Sequence, residues 1–304
     1  MKAIVIKSTG NLIHVQDEHG ESYPCVVKGN FRMKDIDATN PVAVGDRVEV
    51  ELREDTHFII KLYERKNYII RKSVKLSKQV QILATNIDMA YVIATLALPR
   101  TSAGFIDRFL ATAEAYSIPA GIIFNKADLF EGVLADEVNE LKDLYTSIGY
   151  TVHIVSTHRD SDINELRKQL EGKENLFAGH SGVGKTSLIN ALIPGLDLKT
   201  GIISQQHSTG KHTTTFAEMH PLVNGGYIID TPGIREFGIV DFEKAQVCHY
   251  FPELFALLSG CRYNNCLHVN EKDCAVLKAL QENKIAHSRY RSYVSILNNE
   301  DIYK

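Results

Sequence analysis

Residues 174–193 read ENLFAGHSGVGKTSLINALI, and they decide the fold of the middle of this 304-residue chain. The run NLFAG predicts a buried strand, and KTSLINALI predicts a helix. Between them, residues 179–186 fit the pattern G-x-x-x-x-G-K-[ST], in which glycines let backbone N–H groups surround a phosphate at a helix N-terminus. The stretch therefore predicts a parallel α/β sheet that carries a phosphate-binding loop.

The residue types in this loop indicate a nucleoside triphosphate and magnesium as ligands. Lys185 is expected to reach the β- and γ-phosphates, Thr186 to ligate Mg²⁺, and Ser187 to reach the α-phosphate. The predicted phosphate-binding residues are Gly179, His180, Ser181, Gly182, Val183, Gly184, Lys185, Thr186 and Ser187.

A second element of the same site follows a later predicted strand, GYIID. Residues 230–233 read DTPG, in which the Asp230 carboxylate can hold Mg²⁺ through water and the Gly233 N–H can meet the γ-phosphate. Alone, D-x-x-G is a common turn sequence, but its pairing with the phosphate loop makes it specific. Asp230 and Thr186 are therefore predicted to share one magnesium ion.

The polar stretch between these two elements contains GKHTTT, residues 210–215. A loop with a Thr hydroxyl that completes the magnesium shell is what a nucleotide switch requires. We favour Thr214 as this magnesium ligand, and Thr213 and Thr215 remain alternatives.

Residues 125–128 read NKAD and follow the apolar run AGIIF. The Asp128 carboxylate can accept hydrogen bonds from N1–H and the exocyclic amine of guanine, whereas adenine offers no such donor pair. Asn125 is expected to bond the base edge, and the stem of Lys126 to lie along its face. The predicted base-binding residues are Asn125, Lys126, Ala127 and Asp128, with Ser156 in a second base loop after the predicted strand TVHIV.

The order of these motifs along the chain is unusual. In other GTPases the phosphate loop, the switch and D-x-x-G precede NKxD, whereas here NKAD and Ser156 come first. Because the carboxyl ends of parallel strands meet at one edge of a sheet, either order assembles the same pocket. The motifs therefore predict a circularly permuted GTPase. We hypothesise that nucleotide state reorders residues 204–215 and 231–238 and thereby repositions the C-terminal module.

The hydrolytic step is less well specified by the sequence. Ile234 and Arg235 follow DTPG, so the water-orienting Gln of other GTPases is missing from that position and we expect slow intrinsic turnover. His212, beside the switch threonines, either helps to place the water or is simply solvated. The predicted catalytic residues are His212, Thr214 and Gly233.

The first 63 residues alternate short apolar runs with turn sequences, which indicates a small all-β unit. About five strands without a helix fit an OB-type barrel better than a sandwich, which usually needs about 100 residues. Residues 61–80 then hold seven Lys or Arg against one Glu. This basic segment either attracts phosphate backbones or is a solvated linker. Further on, apolar stripes with helical period at residues 105–113 and 134–148 predict helices packed on the sheet.

A cluster of soft ligands lies in the C-terminal region. Cys261, Cys266, His268 and Cys274 form C-x₄-C-x-H-x₅-C, a complete tetrahedral set for one structural Zn²⁺ with no open position for catalysis. The other two cysteines, Cys25 and Cys248, are expected to be ordinary buried thiols. The later residues Arg289, Tyr290, Arg291 and Tyr293 either touch RNA or pack the tail.

Length and composition set the remaining limits. A hydrophobic content of 44% and a charged content of 23% are typical of a globular protein rather than a disordered chain. The net charge of −3 gives no global sign of a nucleic-acid binder. The longest apolar stretch is far shorter than the roughly 20 residues of a membrane span, and no signal peptide is recognisable. We expect no membrane association and a cytoplasmic protein, where clustered cysteines favour metal over disulfides.

A chain of this length has room for two or three domains. The predicted fold is a multidomain one with an all-β OB-fold barrel, an α/β circularly permuted P-loop GTPase domain and a small, mainly helical zinc-binding domain. The predicted bounds are 1–66 for the OB-fold domain, 67–80 for the basic linker, 81–240 for the GTPase domain and 241–304 for the zinc-binding domain.

Together, the all-β start, NKAD before GHSGVGKTS, GKHTTT, DTPG and the Cys/His spacing resemble the RsgA (YjeQ/YloQ) family of bacterial circularly permuted GTPases. The likeness spans essentially the whole chain. It implies late maturation of the small ribosomal subunit, rRNA binding, and GTP hydrolysis stimulated by that subunit. Lys211 stands where many relatives have Arg, and Thr157 follows Ser156 where other GTPases often carry Ala. Neither departure removes a donor that the mechanism needs.

Two functions of different class remain open at this stage. The first is a ribosome-stimulated GTPase that binds GTP and GDP and acts as a monomer. The second is an RNA-binding scaffold in which the nucleotide is only a structural ligand. A metabolic P-loop kinase is a third possibility, but NKAD and DTPG together argue against it.

Overall fold

The computed structural model of the chain describes residues 1–9, 12–27, 41–72, 80–199, 217–231 and 243–298. Within these ranges, three structural parts follow one another along the chain: a β-barrel, a mainly parallel sheet covered by helices, and a small helical module.

The N-terminal part is a closed five-stranded barrel. Its strands follow the order β1-β2-β3-β5-β4, and pairing of β1 with β4 closes it. All neighbours are antiparallel except β3 and β5. Alternating residues such as Val5, Val15, Val48 and Ile59 fill the interior, as period-two patterning requires. This confirms the predicted OB-like barrel. The strands are β1 (Lys2–Ser8), β2 (Ile13–Asp17), β3 (Ser22–Val27), β4 (Arg47–Arg53) and β5 (Thr56–Leu62).

A β-hairpin joins the barrel to the next part. Strand β6 (Tyr68–Lys72) pairs antiparallel with β7 (Val80–Thr85). Just before the hairpin, Arg65, whose side chain is 6% exposed, donates two 2.6 Å hydrogen bonds to the Asp46 carboxylate of the barrel. The segment predicted as a basic linker, residues 67–80, therefore begins with a strand. The positions of the domain boundaries stay a prediction.

The central part is a sheet with the strand order β10-β9-β8-β11-β13-β12, parallel except for β12. Strands β8 and β9 are apolar on both faces because helices cover both. Helices α1 and α2 pack on one face, and α3 and α4 on the other. The strands are β8 (Met89–Ala94), β9 (Ala120–Phe124), β10 (Thr151–Ile154), β11 (Glu174–Gly179), β12 (Glu218–Pro221) and β13 (Tyr227–Asp230). The helices are α1 (Ala103–Ala115), α2 (Val133–Ile148), α3 (Asp160–Leu170) and α4 (Lys185–Leu192).

The barrel and the central sheet are continuous. Strand β1 pairs antiparallel with β12 at Lys7 and Glu218, whose side chains also form an ion pair at 3.2 Å. This pairing makes one eleven-stranded sheet. The barrel therefore rests directly on the strand that follows the predicted switch sequence.

The C-terminal part is a small module built of short helices. Its core contains Val247, Phe251, Val276 and Tyr293, and Ala111 of α1 packs into it. Its elements are a 3₁₀ helix (Lys244–Tyr250), α5 (Pro252–Phe255), α6 (Ala275–Gln281) and α7 (His287–Leu297). None of the helices in the described ranges combines the length and the apolar character needed to span a bilayer.

Candidate functional site

The predicted motifs meet at the carboxyl edge of the central sheet. The phosphate loop follows β11, DTPG follows β13, NKAD follows β9, and Ser156 lies just beyond β10. Because β9, β10, β11 and β13 run parallel, all four connections leave the sheet on the same side. Permutation of the chain has therefore kept the arrangement of loops that a nucleotide pocket requires.

The phosphate loop has little space for side chains. Gly182 and Gly184 adopt left-handed conformations, with φ of 85° and 90°. A Cβ atom at Gly184 would lie 2.5 Å from Nδ2 of Asn125, and one at Gly179 would lie 2.8 Å from the Ile93 carbonyl oxygen. Helix α4 begins immediately after Gly184, and no side chain caps it. Its first N–H groups are thus placed to receive an anion.

Lys185 is held at the floor of the loop. Its ammonium contacts the Asp230 carboxylate and donates a 2.8 Å hydrogen bond to the Thr231 carbonyl oxygen. Burial lowers the pKa of Lys185 to about 7, and the adjacent carboxylate opposes that shift because it favours the charged form. The predicted phosphate and magnesium residues thus face each other across β11 and β13.

The other members of the loop surround this pair. Val183 is buried, Thr186 is half-buried, and Ser181 and Ser187 are exposed. The His180 ring lies against Phe105 of α1, with 3.7 Å between ring centroids. The Thr231 hydroxyl donates to the Phe177 carbonyl oxygen at 2.9 Å, which fixes the start of DTPG against the central strand.

The base motif is bonded directly to the phosphate loop. Asn125 is buried, and its Nδ2 donates to the carbonyl oxygens of Val183 at 3.0 Å and Gly184 at 3.4 Å. The Lys126 ammonium donates to the carbonyl oxygens of Gly182 and Leu98, both at 2.7 Å. Burial lowers the pKa of Lys126. The two motifs, more than 50 residues apart in sequence, form one structural unit.

Asp128 lies at the outer end of this unit. Its carboxylate accepts a 2.5 Å hydrogen bond from the Ser156 hydroxyl, and this bond lowers the pKa of Asp128. Ala127 N–H donates to the Val155 carbonyl oxygen at 3.0 Å, which ties the two base loops together. Asp128 is therefore a half-exposed, ionised acceptor held in place by Ser156. The structure places Ser156 beside Asp128, and its contact with the base stays a prediction.

Three predicted residues lie outside the described ranges. His212 and Thr214, with the alternatives Thr213 and Thr215, fall within residues 200–216, and Gly233 falls within residues 232–242. Their roles in catalysis and in magnesium binding stay predictions.

The comparisons with known proteins agree with this geometry. The family described as RsgA GTPase matches residues 62–240, and the RsgA N-terminal domain matches residues 2–60. The chain belongs to the RsgA family of GTPases. Members of this family are GTP hydrolases, which confirms the predicted enzyme class.

Individual members of the RsgA family are similar over their whole length. A Bacteroides fragilis (strain YCH46) protein named small ribosomal subunit biogenesis GTPase RsgA is 50% identical over 302 residues, which cover 99% of this chain and 97% of the relative. A Flavobacterium johnsoniae protein of the same name is 48% identical over 305 residues, covering 99% and 94%.

Two solved structures share the fold of this RsgA family member. YjeQ from Thermotoga maritima superposes with a TM-score of 0.80 at 33% identity, covering 98% of this chain and 97% of YjeQ. YloQ, described as a circularly permuted GTPase, gives a TM-score of 0.75 at 26% identity, covering 98% and 94%. The predicted circular permutation is confirmed.

The four predicted metal ligands lie together in the C-terminal module. The ligand atoms of Cys261, Cys266, His268 and Cys274 are all within 4.8 Å of one another. Cys261 Sγ lies 3.9 Å from Cys274 Sγ and 3.6 Å from His268 Nδ1. Zinc bonds of about 2.3 Å to sulfur and about 2.0 Å to nitrogen place tetrahedral ligands about 3.5–3.8 Å apart. The cluster is thus able to hold a metal ion of this size.

Burial and backbone hydrogen bonds characterise the surroundings of the cluster. Burial raises the pKa of the Cys266 thiol to about 12 and also raises that of Cys274, so thiolates here need a nearby positive charge. The Glu271 carboxylate accepts hydrogen bonds from the N–H groups of Leu267, Val269 and Asn270, at 2.6 to 3.0 Å. These hydrogen bonds help to define the shape of the loop that carries the four ligands, residues 261–274.

Helix α7 holds the ligand loop from behind. Tyr290 donates to the His268 carbonyl oxygen at 2.7 Å, and Tyr293 donates to the Leu267 carbonyl oxygen at 2.6 Å. Arg289 and Tyr293 are buried, whereas Arg291 is exposed. Of the two readings that the sequence left open, packing therefore accounts for Arg289, Tyr290 and Tyr293. Cys25 and Cys248 are buried free thiols, as expected.

Some contacts of the site were not predicted. The Leu98 carbonyl oxygen accepts from Lys126, Pro99 packs beside Gly182, and Phe105 stacks on His180. Leu98 and Pro99 belong to the connection between β8 and α1, and Phe105 belongs to the first turn of α1; neither segment carries a nucleotide motif. Their sequence, TLALPRTSAGF, gave no signal of a role beyond the apolar stripe of the helix.

Proposed function

We propose that this protein is a GTPase that binds the small ribosomal subunit, assists its late maturation, and hydrolyses GTP to GDP and phosphate with stimulation by the subunit. The observation that carries the nucleotide part is the bonding of NKAD to the phosphate loop, with Asp128 ionised at one end and Lys185 at the other. The ribosomal part rests on the names of the relatives.

Guanine recognition falls to Asp128 and its neighbours. The carboxylate accepts from two donors on the guanine edge, while Ser156 holds it in place. The N–H groups of the phosphate loop and the Lys185 ammonium receive the phosphates. With a triphosphate bound, the Lys185 ammonium would contact the phosphates in place of Asp230, and the Asp230 carboxylate would be available to hold magnesium.

Magnesium is the cofactor that fits the oxygen donors at this edge. Thr186 and Asp230 would hold it, with Thr214 as the proposed third protein ligand, and the ion would neutralise charge on the β- and γ-phosphates. Gly233 N–H is proposed to meet the γ-phosphate, and His212 to help place the water. Without a Gln after DTPG, ordering of the switch by a partner is what raises turnover.

Zinc is the metal we propose for the Cys₃His cluster. Three thiolates and one imidazole nitrogen in tetrahedral spacing form a closed structural site. Its role is to hold residues 261–274 in the shape that the C-terminal module presents to rRNA. We further propose that the protein acts as a monomer in the cytoplasm.

Phosphate release in the presence and absence of purified small ribosomal subunits tests the proposal. We expect slow turnover of GTP alone, a marked increase with small subunits, and little increase with large subunits as a matched control. Equal rates in all three samples would contradict a stimulated GTPase and favour an RNA-binding scaffold that uses the nucleotide only as a structural ligand.

A further inference from the structure

Helix α1 packs against two parts of the molecule at once. Ile106, Leu110 and Ala113 belong to the core beneath the central sheet, whereas Ala111 belongs to the core of the C-terminal module, residues 243–298. We call this part the zinc module below, after the zinc proposed for it. The helix therefore forms a shared wall between the nucleotide-binding part and the C-terminal module.

A buried charge cluster fixes the zinc module to this wall. Arg289 of α7 donates from Nη1 to the Asp107 carboxylate of α1 at 2.7 Å, and from Nε and Nη2 to Glu253 of α5 at 2.7 and 3.1 Å. Arg289 is 1% exposed and Asp107 is fully buried. Tyr145 of α2 donates to the same Asp107 oxygen at 2.8 Å. A buried pair of this kind resists separation, because each charge would be left without its partner.

Aromatic rings surround the guanidinium group of Arg289. Its central carbon lies 4.6 Å from the ring centroid of Phe251 and 5.9 Å from those of Tyr145 and Tyr150. The planar group is therefore held both by directional hydrogen bonds and by ring faces. Lysine cannot reproduce this arrangement, because its ammonium group is a single point charge without the planar set of N–H donors of a guanidinium group.

The opposite side of α1 contacts the phosphate loop. Phe105 lies two residues before Asp107, about 200° away around a helix with 3.6 residues per turn. Its buried ring stacks on His180 of the phosphate loop with centroids 3.7 Å apart. Ser102 Oγ accepts from the Phe105 N–H at 3.3 Å, which fixes the start of the helix. A single turn of α1 thus carries both contacts.

We propose that Arg289 is a positioning residue, which acts through Asp107 and Phe105 on the phosphate loop and so couples the zinc module to GTP turnover. A displacement of the zinc module moves α7. Because Arg289 of α7 is hydrogen-bonded to Asp107, α1 moves with α7, and the Phe105 ring then displaces His180. This inference rests on the proposed function, because it names the route by which contact with the subunit reaches the nucleotide.

Arg289→Lys tests this coupling, with Arg291→Lys as a matched control two residues further along α7 on its exposed side. The readout is the ratio of GTP turnover with small ribosomal subunits to turnover without them, normalised to the fraction of protein that binds GDP. We expect turnover without subunits to stay within about twofold, and the ratio to fall about tenfold for Arg289→Lys only, an ordinary size for coupling between sites.

A second variant, Phe105→Leu, removes the ring contact at the other end and leaves the charge cluster intact. It should lower the same ratio, and the double variant should lower it no further, since residues that act in one route are non-additive. Additive losses, or an unchanged ratio in either single variant, would overturn the inference. If the unmodified protein is not stimulated by subunits at all, the proposed function fails instead, so the two failures are distinguishable.

Discussion

Gly184 shows how one residue can serve both halves of the nucleotide site. It has a φ of 90°, and a Cβ there would lie 2.5 Å from Asn125 Nδ2. A side chain would therefore strain the backbone and push Asn125 away from the loop carbonyl oxygens at the same time. The shape of the loop and the position of the base motif therefore both require that Gly184 carries a hydrogen atom where other residues carry a Cβ.

We expect Gly184→Ala to weaken GDP binding by about a hundredfold, the equivalent of roughly 3 kcal/mol for local strain and lost hydrogen bonds. Gly195→Ala is the control, because Gly195 also has a positive φ of 82° but has open space around it. Isothermal titration of both variants with GDP measures the difference. Similar affinities for the two variants would show that the close contact with Asn125 is unimportant.

Glu174 and Asp88 form a pair of carboxyl groups at the opposite edge of the sheet. Burial raises the pKa of Glu174 to about 7, the neighbouring Asp88 adds to this shift, and Arg47 opposes it. The pKa of Asp88 is lowered, because hydrogen bonds from Glu174 and Lys66 outweigh the effect of burial. Between pH 4.5 and about 7, the folded protein therefore keeps a proton on Glu174 that the unfolded chain has lost.

When folding raises the pKa of a group, that group contributes its full stabilisation at pH values below its pKa in the unfolded chain. The contribution is lost as the pH rises through the pKa of the group in the folded protein. The free energy of unfolding should therefore fall between pH 4.5 and pH 7, by about 1 kcal/mol after allowance for partial exposure and for the compensating Arg47. Urea titrations at pH 5 and pH 7.5 measure this change. Glu174→Gln should reduce the slope, and an unaltered slope in that variant would assign the change to other groups.

At the residue scale, the sequence indicated which loops would meet but not most of the contacts between their side chains. The proximity of Asp128 and Ser156 was predictable, because loops after the carboxyl ends of neighbouring parallel strands meet at one edge of the sheet. The bonds from Asn125 and Lys126 to the phosphate loop were not predicted, because a motif specifies residue types and says nothing of partners more than 50 residues away. Phe105 was assigned only to the core, because an apolar stripe does not show which of its side chains contacts the phosphate loop.

At the scale of elements, α7 holds the loop of residues 261–274 that carries the predicted metal ligands. Its spacing of Arg and Tyr was compatible with either RNA contact or packing, because both use the same residue types. Three-dimensional contacts distinguish them: the hydroxyl groups of Tyr290 and Tyr293 bond the two carbonyl oxygens of the ligand loop. Strand β6 is a similar case. Its basic residues suggested a linker, but it pairs antiparallel with β7 and forms a hairpin.

Loss of one metal ligand should loosen this module. Cys266→Ser is expected to remove bound zinc and to lower the unfolding free energy of the C-terminal module by roughly 3 kcal/mol or more, because metal binding and folding of the ligand loop are coupled. Zinc content by atomic emission and hydrogen exchange of residues 261–298 measure the effect.

Cys248→Ser is the matched control for the zinc prediction. Cys248 is a buried thiol of the same module but lies outside the ligand cluster. It should keep one zinc ion per chain. Equal zinc content in the two variants would contradict the assignment of Cys266 as a ligand.

At the scale of the whole molecule, the permuted order leaves the pocket intact and changes what adjoins it. The barrel pairs with β12, and the C-terminal module packs on α1. Composition and motif order were sufficient to predict the three parts and their order along the chain, because each part has its own hydrophobic periodicity. They did not predict these two junctions, which depend on surfaces rather than on patterns.

The central claim is that NKAD and the phosphate loop form one pocket for guanine nucleotides. Calorimetric titration of Asp128→Asn with GDP, ADP and xanthosine diphosphate tests it most directly, with Asp136→Asn as a control for loss of an exposed charge on α2. We expect GDP affinity to fall about a hundredfold, because two charge-assisted hydrogen bonds are lost. Affinity for xanthosine diphosphate should rise, since an amide can donate to the added base oxygen. An unchanged preference of Asp128→Asn for GDP over ADP would contradict the claim.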